Sequence, residues 1–97
     1  MIEKKIKTIS QLKDIVVSLK SKEKRIVFTN GCFDILHYGH VKYLEEAKKK
    51  GDVLIVAINS DGSVKKIKGL RLPIMPARER IRLVSALESV DYVTIFN

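Results

Sequence analysis

Six consecutive apolar residues, Val53-Leu54-Ile55-Val56-Ala57-Ile58, restrict the fold of this chain more than any other stretch. An apolar run without alternation suits a strand covered on both faces, as strands are in a parallel sheet. It is far too short to cross a bilayer. Two more strand-like runs flank it, one over Arg25 to Thr29 and one over Tyr92 to Phe96. Between the runs the apolar spacing becomes helical. Val41, Leu44 and Ala47 share a face of a helix over 41–50, with Tyr43 beside them and Gly51 as its C′ residue. A loop over 59–63 follows the central strand, and a short helix can start from it.

Lys68 to Pro76 contains Gly69, Pro73 and Pro76 and reads as a restricted loop. Pro76 fits the N1 position of a second crossover helix, whose face is Ile81, Val84, Leu87 and Val90, broadened by Leu83 and Ala86. Ahead of the first strand, Thr8 and Gln11 match a capping box. Ile9, Leu12, Ile15, Val16 and Leu19 then form one stripe of a helix reaching about Lys22. The order is helix, then strand–helix–strand–helix–strand. That alternation predicts an α/β fold, a Rossmann-like parallel sheet with three strands, helices on both faces and an extra N-terminal helix. Ligands of such sheets bind at the carboxyl ends of the strands, which places loops 29–40 and 59–63 at the site.

The chain has 97 residues, the size of one domain, with no repeat or linker. Its 45% apolar content exceeds that of disordered chains. Cys32, the single cysteine, has no internal disulfide partner, and MIEKKIKT lacks an apolar signal core. A cytoplasmic setting without membrane association is the expectation. Nineteen basic and eleven acidic residues give a formal charge of +8, which favours a polyanionic partner. Lysine-rich surfaces also serve solvation and stability, so charge alone does not choose the partner.

The chemistry concentrates in RIVFTNGCFDILHYGHVKYL, residues 25–44. A strand leads through Thr29-Asn30-Gly31 into a helix start, where backbone N–H groups and the helix dipole favour phosphate. Neither GxxxxGK[ST] nor GxGxxG is present, so the Asn30-Gly31-Cys32-Phe33 turn, the helix start near Gly39 and basic side chains must supply any phosphate contacts. His37 and His40 lie one helical turn apart. As imidazolium donors they can neutralise charge on a phosphoryl group. With Cys32 or Asp34 they can equally hold zinc, or they can be unrelated surface histidines. Asp34 can bind a divalent cation, orient a histidine, or close an Asx-turn. Cys32 reads as a packing thiol. Asn59 and Asp61 can touch a ligand or build a turn, and Lys68 and Arg80 can face phosphate or solvent.

GCFDILHYGHVKYLEEAKKKGDVLIVAINSD resembles the cytidylyltransferase-like nucleotidyltransferases, whose hallmark is an HxGH motif on a Rossmann-like domain. Within that group, FTNGCFDILHYGH, NSDGSVKKIKG and ALESVDYV are most similar to the adenylyltransferase domains of bacterial ADP-heptose synthases. The resemblance implies direct attack of D-glycero-β-D-manno-heptose 1-phosphate on the α-phosphorus of ATP, giving ADP-heptose and pyrophosphate for lipopolysaccharide precursors. It assigns His37, His40 and Lys68 to catalysis. Thr29, Asn30, Gly31, Cys32, Phe33, Asp34, Gly39 and Arg80 would bind nucleotide or phosphate, and Asn59, Asp61 and Arg71 would line the substrate pocket. Mg²⁺ would bridge phosphate oxygens, held in part by Asp34.

Two departures stand against the pattern. Leu72 replaces the arginine usual before Pro73, so either Arg71 takes that contact or it is lost. Related domains also continue past the position of Asn97, so the resemblance implies a single domain truncated at its C-terminal end, with an exposed sheet edge. Rival readings are a CTP-dependent glycerol 3-phosphate cytidylyltransferase and an FMN adenylyltransferase. A non-catalytic module binding nucleotide or nucleic acid is a reading from another class. The partners expected are ATP and a sugar phosphate, without nucleic acid, and homodimers are common in the family.

Overall fold

The Val53 run is the middle strand of the sheet. In a computed structural model, which describes residues 2–97, β1 (Ile26–Gly31), β2 (Val53–Asn59) and β3 (Tyr92–Phe96) lie side by side in that order, all parallel. From Leu54 to Asn59 every residue of β2 is buried, because both neighbours and both faces are occupied. Leu54, Val56 and Ile58 alternate onto one face, where they pack with Val93 of β3, Leu44 of α2 (Tyr38–Lys48) and Ile81 and Val84 of α4 (Ala77–Ser85). Ile55 and Ala57 point to the opposite face, which α1 (Ile9–Ser21) overlies along an apolar groove. Helices thus occupy both faces, as the alternation predicts. Among the described residues no helix is long and apolar enough to cross a membrane.

The capping box forms as its sequence specifies. Gln11 N–H donates to Thr8 Oγ1 at 3.1 Å, and Thr8 N–H donates to Gln11 Oε1 at 2.8 Å. Ahead of α1, a 3₁₀ turn over Ile2–Lys5 leads the chain along β3. Ile6 there bridges Val93, and Lys7 N–H donates to Val93 O at 2.9 Å. The outer edge of β3 is therefore partly paired, and β1 has no strand on its outer edge among the described residues.

Several boundaries differ from their expected places. β1 runs on through Thr29, Asn30 and Gly31, which pair with Val56, Ala57 and Ile58, so the turn begins only at Cys32. Ladder bonds with a fully formed neighbour outweigh the turn preference of Asn-Gly. α2 starts at Tyr38 instead of Val41, with His37 as its N-cap. Its C-cap is Lys49, and Gly51 is not left-handed. A Cβ at Gly51 would stand 2.8 Å from Val27 Cγ2 and 2.9 Å from Arg25 O, so close packing on β1 accounts for that glycine. α4 ends at Ser85, and Leu87 and Val90 reach the core from a turn. The expected short helix is α3 (Asp61–Lys68), which ends on Lys68, and Pro76 is the N-cap of α4 instead of N1.

Candidate active site

At the carboxyl end of β1, a cleft of about 390 Å³ opens between the β1–α2 loop, the first turns of α2 and the end of α3. Asn30, Gly31, Cys32, Phe33 and Asp34 line it from the strand end and loop. His37 and His40 enter from the α2 N-terminus, and Lys68 enters from the last residue of α3. Helix dipole, two imidazoles and an ammonium thus converge on one space, an arrangement suited to anionic oxygens.

Local hydrogen bonds define the histidine pair. Gly39 N–H donates to His37 Nδ1 at 3.0 Å, and His37 N–H donates to His40 Nδ1 at 3.2 Å. The rings lie 4.0 Å apart, centroid to centroid, tilted by 32°. An imidazole that accepts at Nδ1 carries its proton on Nε2. Both side chains therefore present Nε2–H as a donor, with each Nδ1 held by a backbone N–H. Burial, and then the neighbouring His37 and Lys68 charges, push the His40 pKa below its ordinary value.

Gly39 exists for the same ring. A Cβ there would lie 2.7 Å from His37 Cε1 and 2.9 Å from its Nδ1, so a side chain would displace the imidazole from its cap bond. The spacer residue of HxGH is thus a requirement of the first histidine. Phe33 holds the second. Its ring is buried and meets His40 at a centroid distance of 5.5 Å. Its backbone is left-handed, at φ 49°, a conformation costly for an aromatic residue and common at functional sites. Gly31 makes room for the same ring, since a Cβ there would come within 2.9 Å of it.

Several residues assigned to ligands instead hold the loops. Arg80 is fully buried. Its Nε donates to Met75 O (2.9 Å), its Nη1 to Cys32 O (2.7 Å) and Asn59 O (2.8 Å), and its Nη2 to Asp61 Oδ1 (2.7 Å). One guanidinium therefore ties the ends of β1 and β2 to the start of α3 and the loop before α4. It is fully buried and does not line the cleft. Asp61 Oδ1 also accepts from Ala77 N–H, and buried Asn59 accepts from the Cys32 thiol and donates to Ser63 Oγ. Neither lines the cleft, and exposed Arg71 stands outside it as well.

Asp34 lines the cleft but faces the proline loop. Its Oδ2 accepts from Ile74 N–H and its Oδ1 from Met75 N–H, both at 2.8 Å. Burial pulls its pKa upward, but these two bonds and the Arg80 and Lys68 charges outweigh burial and hold the carboxyl below its ordinary value. A carboxylate so engaged is a loop clamp and a poor resident metal ligand. Among the described residues no group of three or more His, Cys, Asp or Glu side chains comes together to hold a metal.

Thr29 is buried below the cleft, and its Oγ1 lies 2.6 Å from the hydroxyl of Tyr43. Tyr43 itself lines the cleft, as does Ile35. Sequence reasoning places Tyr43 beside the core face of its helix. Its position three residues after His40 was the available signal, because that spacing puts both on one side.

A parallel α/β sheet with an HxGH helix start and a cleft of imidazole, ammonium and helix N-terminal donors at its carboxyl end defines a phosphate-handling domain of the nucleotidyltransferase type. Residues 28–97 match the cytidylyltransferase-like family model. The chain belongs to the cytidylyltransferase-like family, a family of nucleotidyltransferases. It is 57% identical over 94 residues to the bifunctional protein HldE of a Nitratiruptor species, covering 97% of this chain and 20% of that protein. With HldE of Campylobacter jejuni subsp. doylei it is 55% identical over 95 residues, covering 98% and 20%. The chain thus spans about a fifth of the length of these curated relatives. The crystal structure of the lipopolysaccharide core biosynthesis protein from Thermoplasma volcanium is similar in fold, with a TM-score of 0.71 and 38% identity over 76% of this chain and 59% of that one.

Proposed function

We propose that this chain supplies the phosphate-activating cleft of an adenylyltransferase that joins D-glycero-β-D-manno-heptose 1-phosphate to the AMP of ATP. A phosphate oxygen of the sugar attacks the α-phosphorus and forms the new P–O bond. The bond from that phosphorus to the β-phosphate bridging oxygen breaks, and pyrophosphate leaves with the electron pair. Charge grows on the equatorial oxygens as this happens. The Nε2–H groups of His37 and His40, the α2 N-terminus and the Lys68 ammonium, which share the cleft, would meet it. The paired, backbone-anchored Nδ1 atoms carry this reading, because they fix two donors before substrate arrives. The HldE relatives and the lipopolysaccharide neighbour support the choice of acceptor class. Mg²⁺ would arrive on the triphosphate and screen its charge, since Asp34 is already engaged.

The cytidylyltransferase-like family description favours a second reading, CTP with glycerol 3-phosphate. Pyrophosphate release, measured for ATP and CTP with heptose 1-phosphate, glycerol 3-phosphate and FMN in turn, separates the readings. Turnover with ATP and the heptose alone is the expected outcome, and turnover with CTP and glycerol 3-phosphate would overturn it. His37→Ala and His40→Ala should each lower kcat by roughly 100-fold or more with the fold retained, the usual cost of one preorganised donor.

A further inference from the structure

Tyr43 is drawn into neither the family motif nor the hydrophobic core. It stands on α2 three residues after His40, and its side chain lines the cleft although 52% of the residue is exposed. Its hydroxyl nevertheless has a fixed partner, Thr29 Oγ1 at 2.6 Å, on a residue only 9% exposed in β1. That bond joins the helix carrying both histidines to the strand that runs on into Cys32 and Phe33.

The histidine-bearing turn is itself largely exposed. His37, Tyr38 and Gly39 are exposed, and Leu44 is the first buried residue of α2. The imidazoles are fixed to their own backbone, so their place in the cleft is set by where α2 sits on β1. Beside the packing of Leu44 and Leu36 on the core, two specific side-chain contacts tie this half of α2 to the β1 segment: Phe33 against His40, and Tyr43 to Thr29. The first is an aromatic contact at the top of the turn. The second is directional and lies one turn below, so it resists rotation and sliding of the helix that ring packing would tolerate.

We propose that Tyr43 is a positioning residue for nucleotidyl transfer, its hydroxyl locked to Thr29 so that α2 holds His37 and His40 at a fixed height over β1. This rests on the function proposed above. Tyr43→Phe removes only the hydroxyl, Thr29→Val removes its partner, and Thr29→Ser keeps the Oγ. Steady-state kinetics of pyrophosphate release, thermal unfolding, and ¹⁵N spectra of the histidine rings read the effects. Tyr43→Phe and Thr29→Val should each lower kcat about 10-fold, the worth of one hydrogen bond. The KM for ATP and for heptose 1-phosphate should stay within about two-fold. The double variant should be no worse than either single one, and Thr29→Ser should restore most of kcat. The histidine ring signals should shift in Tyr43→Phe without any substrate.

An unchanged kcat, losses that multiply in the double variant, or an effect confined to KM would overturn the proposal, the last by making Tyr43 a direct substrate contact. If the unmodified protein turns over none of the substrates, the adenylyltransferase reading falls on that result alone. The ring spectra then decide the placement of the histidines, and unchanged signals in Tyr43→Phe end the proposal.

Discussion

Replacing Arg80 separates two roles that its position in the sequence leaves equal. As a phosphate ligand it would be dispensable to folding, and Arg80→Leu would weaken ATP binding alone. The geometry gives the opposite outcome. Leucine would leave the carbonyls of Met75, Cys32 and Asn59 without their donor and Asp61 without its ion partner. The bond to Asn59 O is fully buried, and the other three reach partly hydrated positions. An unpaired buried carbonyl costs about 1–3 kcal/mol, and the partly hydrated ones cost less. Release of the guanidinium from burial offsets part of this, and the half-exposed Asp61 carboxylate regains water, so the net loss should be about 2–4 kcal/mol. Small domains have about 5–15 kcal/mol in all.

Urea unfolding followed by circular dichroism reads this directly. At a slope of about 1–3 kcal/mol per molar urea, Arg80→Leu should lower the midpoint by roughly 2 M. Arg80→Lys should fall between, because one ammonium cannot span acceptors set out for a planar fork. A midpoint shift below about 0.5 M with an unchanged slope, together with weakened ATP binding, would refute the buried tie and restore the phosphate contact.

Gly39→Ala should lower kcat by roughly 100-fold with the circular dichroism spectrum unchanged, since its methyl group meets the His37 ring and displaces one of the proposed donors. Because burial and its charged neighbours depress the His40 pKa, the folded state binds fewer protons there than the unfolded chain. Its contribution is complete above the ordinary value of 6.5 and is lost as pH falls through the lower folded value; urea midpoints between pH 8 and 5, compared with His40→Gln, check this. Asp34→Asn should cost roughly 1 kcal/mol, because an amide can accept only one of the Ile74 and Met75 N–H bonds. It should also remove the stability that Asp34 contributes above pH 3.8 and loses as pH falls through its depressed folded value, seen as a flatter acid limb in the same urea series.

Much of the fold was legible because its signals are local. The Val53 run, the Thr8–Gln11 box and the Tyr92–Phe96 strand each depend on a few neighbouring residues and sit where their patterns place them. The ends of β1 and α2 were not legible. Asn30-Gly31 has the composition of a turn, and only the register against Ala57 and Ile58 extends it as strand. The helix start at Tyr38 depends on His37 acting as N-cap, a role that its type does not advertise beside Ser, Thr, Asp or Asn. Tyr43 was hidden for a similar reason, since its partner Thr29 is fourteen residues away.

The sequence by itself determined the layering of helices on a parallel sheet, the family, and the meeting of a strand that ends on Gly31 with two histidines. Local spacing and apolar pattern are sufficient for those. Only the tertiary structure decided which polar residues face the cleft and which hold it open. Arg80, Asp61, Asn59 and Asp34 have side chains as fit for phosphate or metal as any in the chain. Most of their partners lie 16 to 48 residues away and occupy their donors and acceptors first. A buried polar group must be satisfied where it stands, and the partner that satisfies it is a property of the packed molecule.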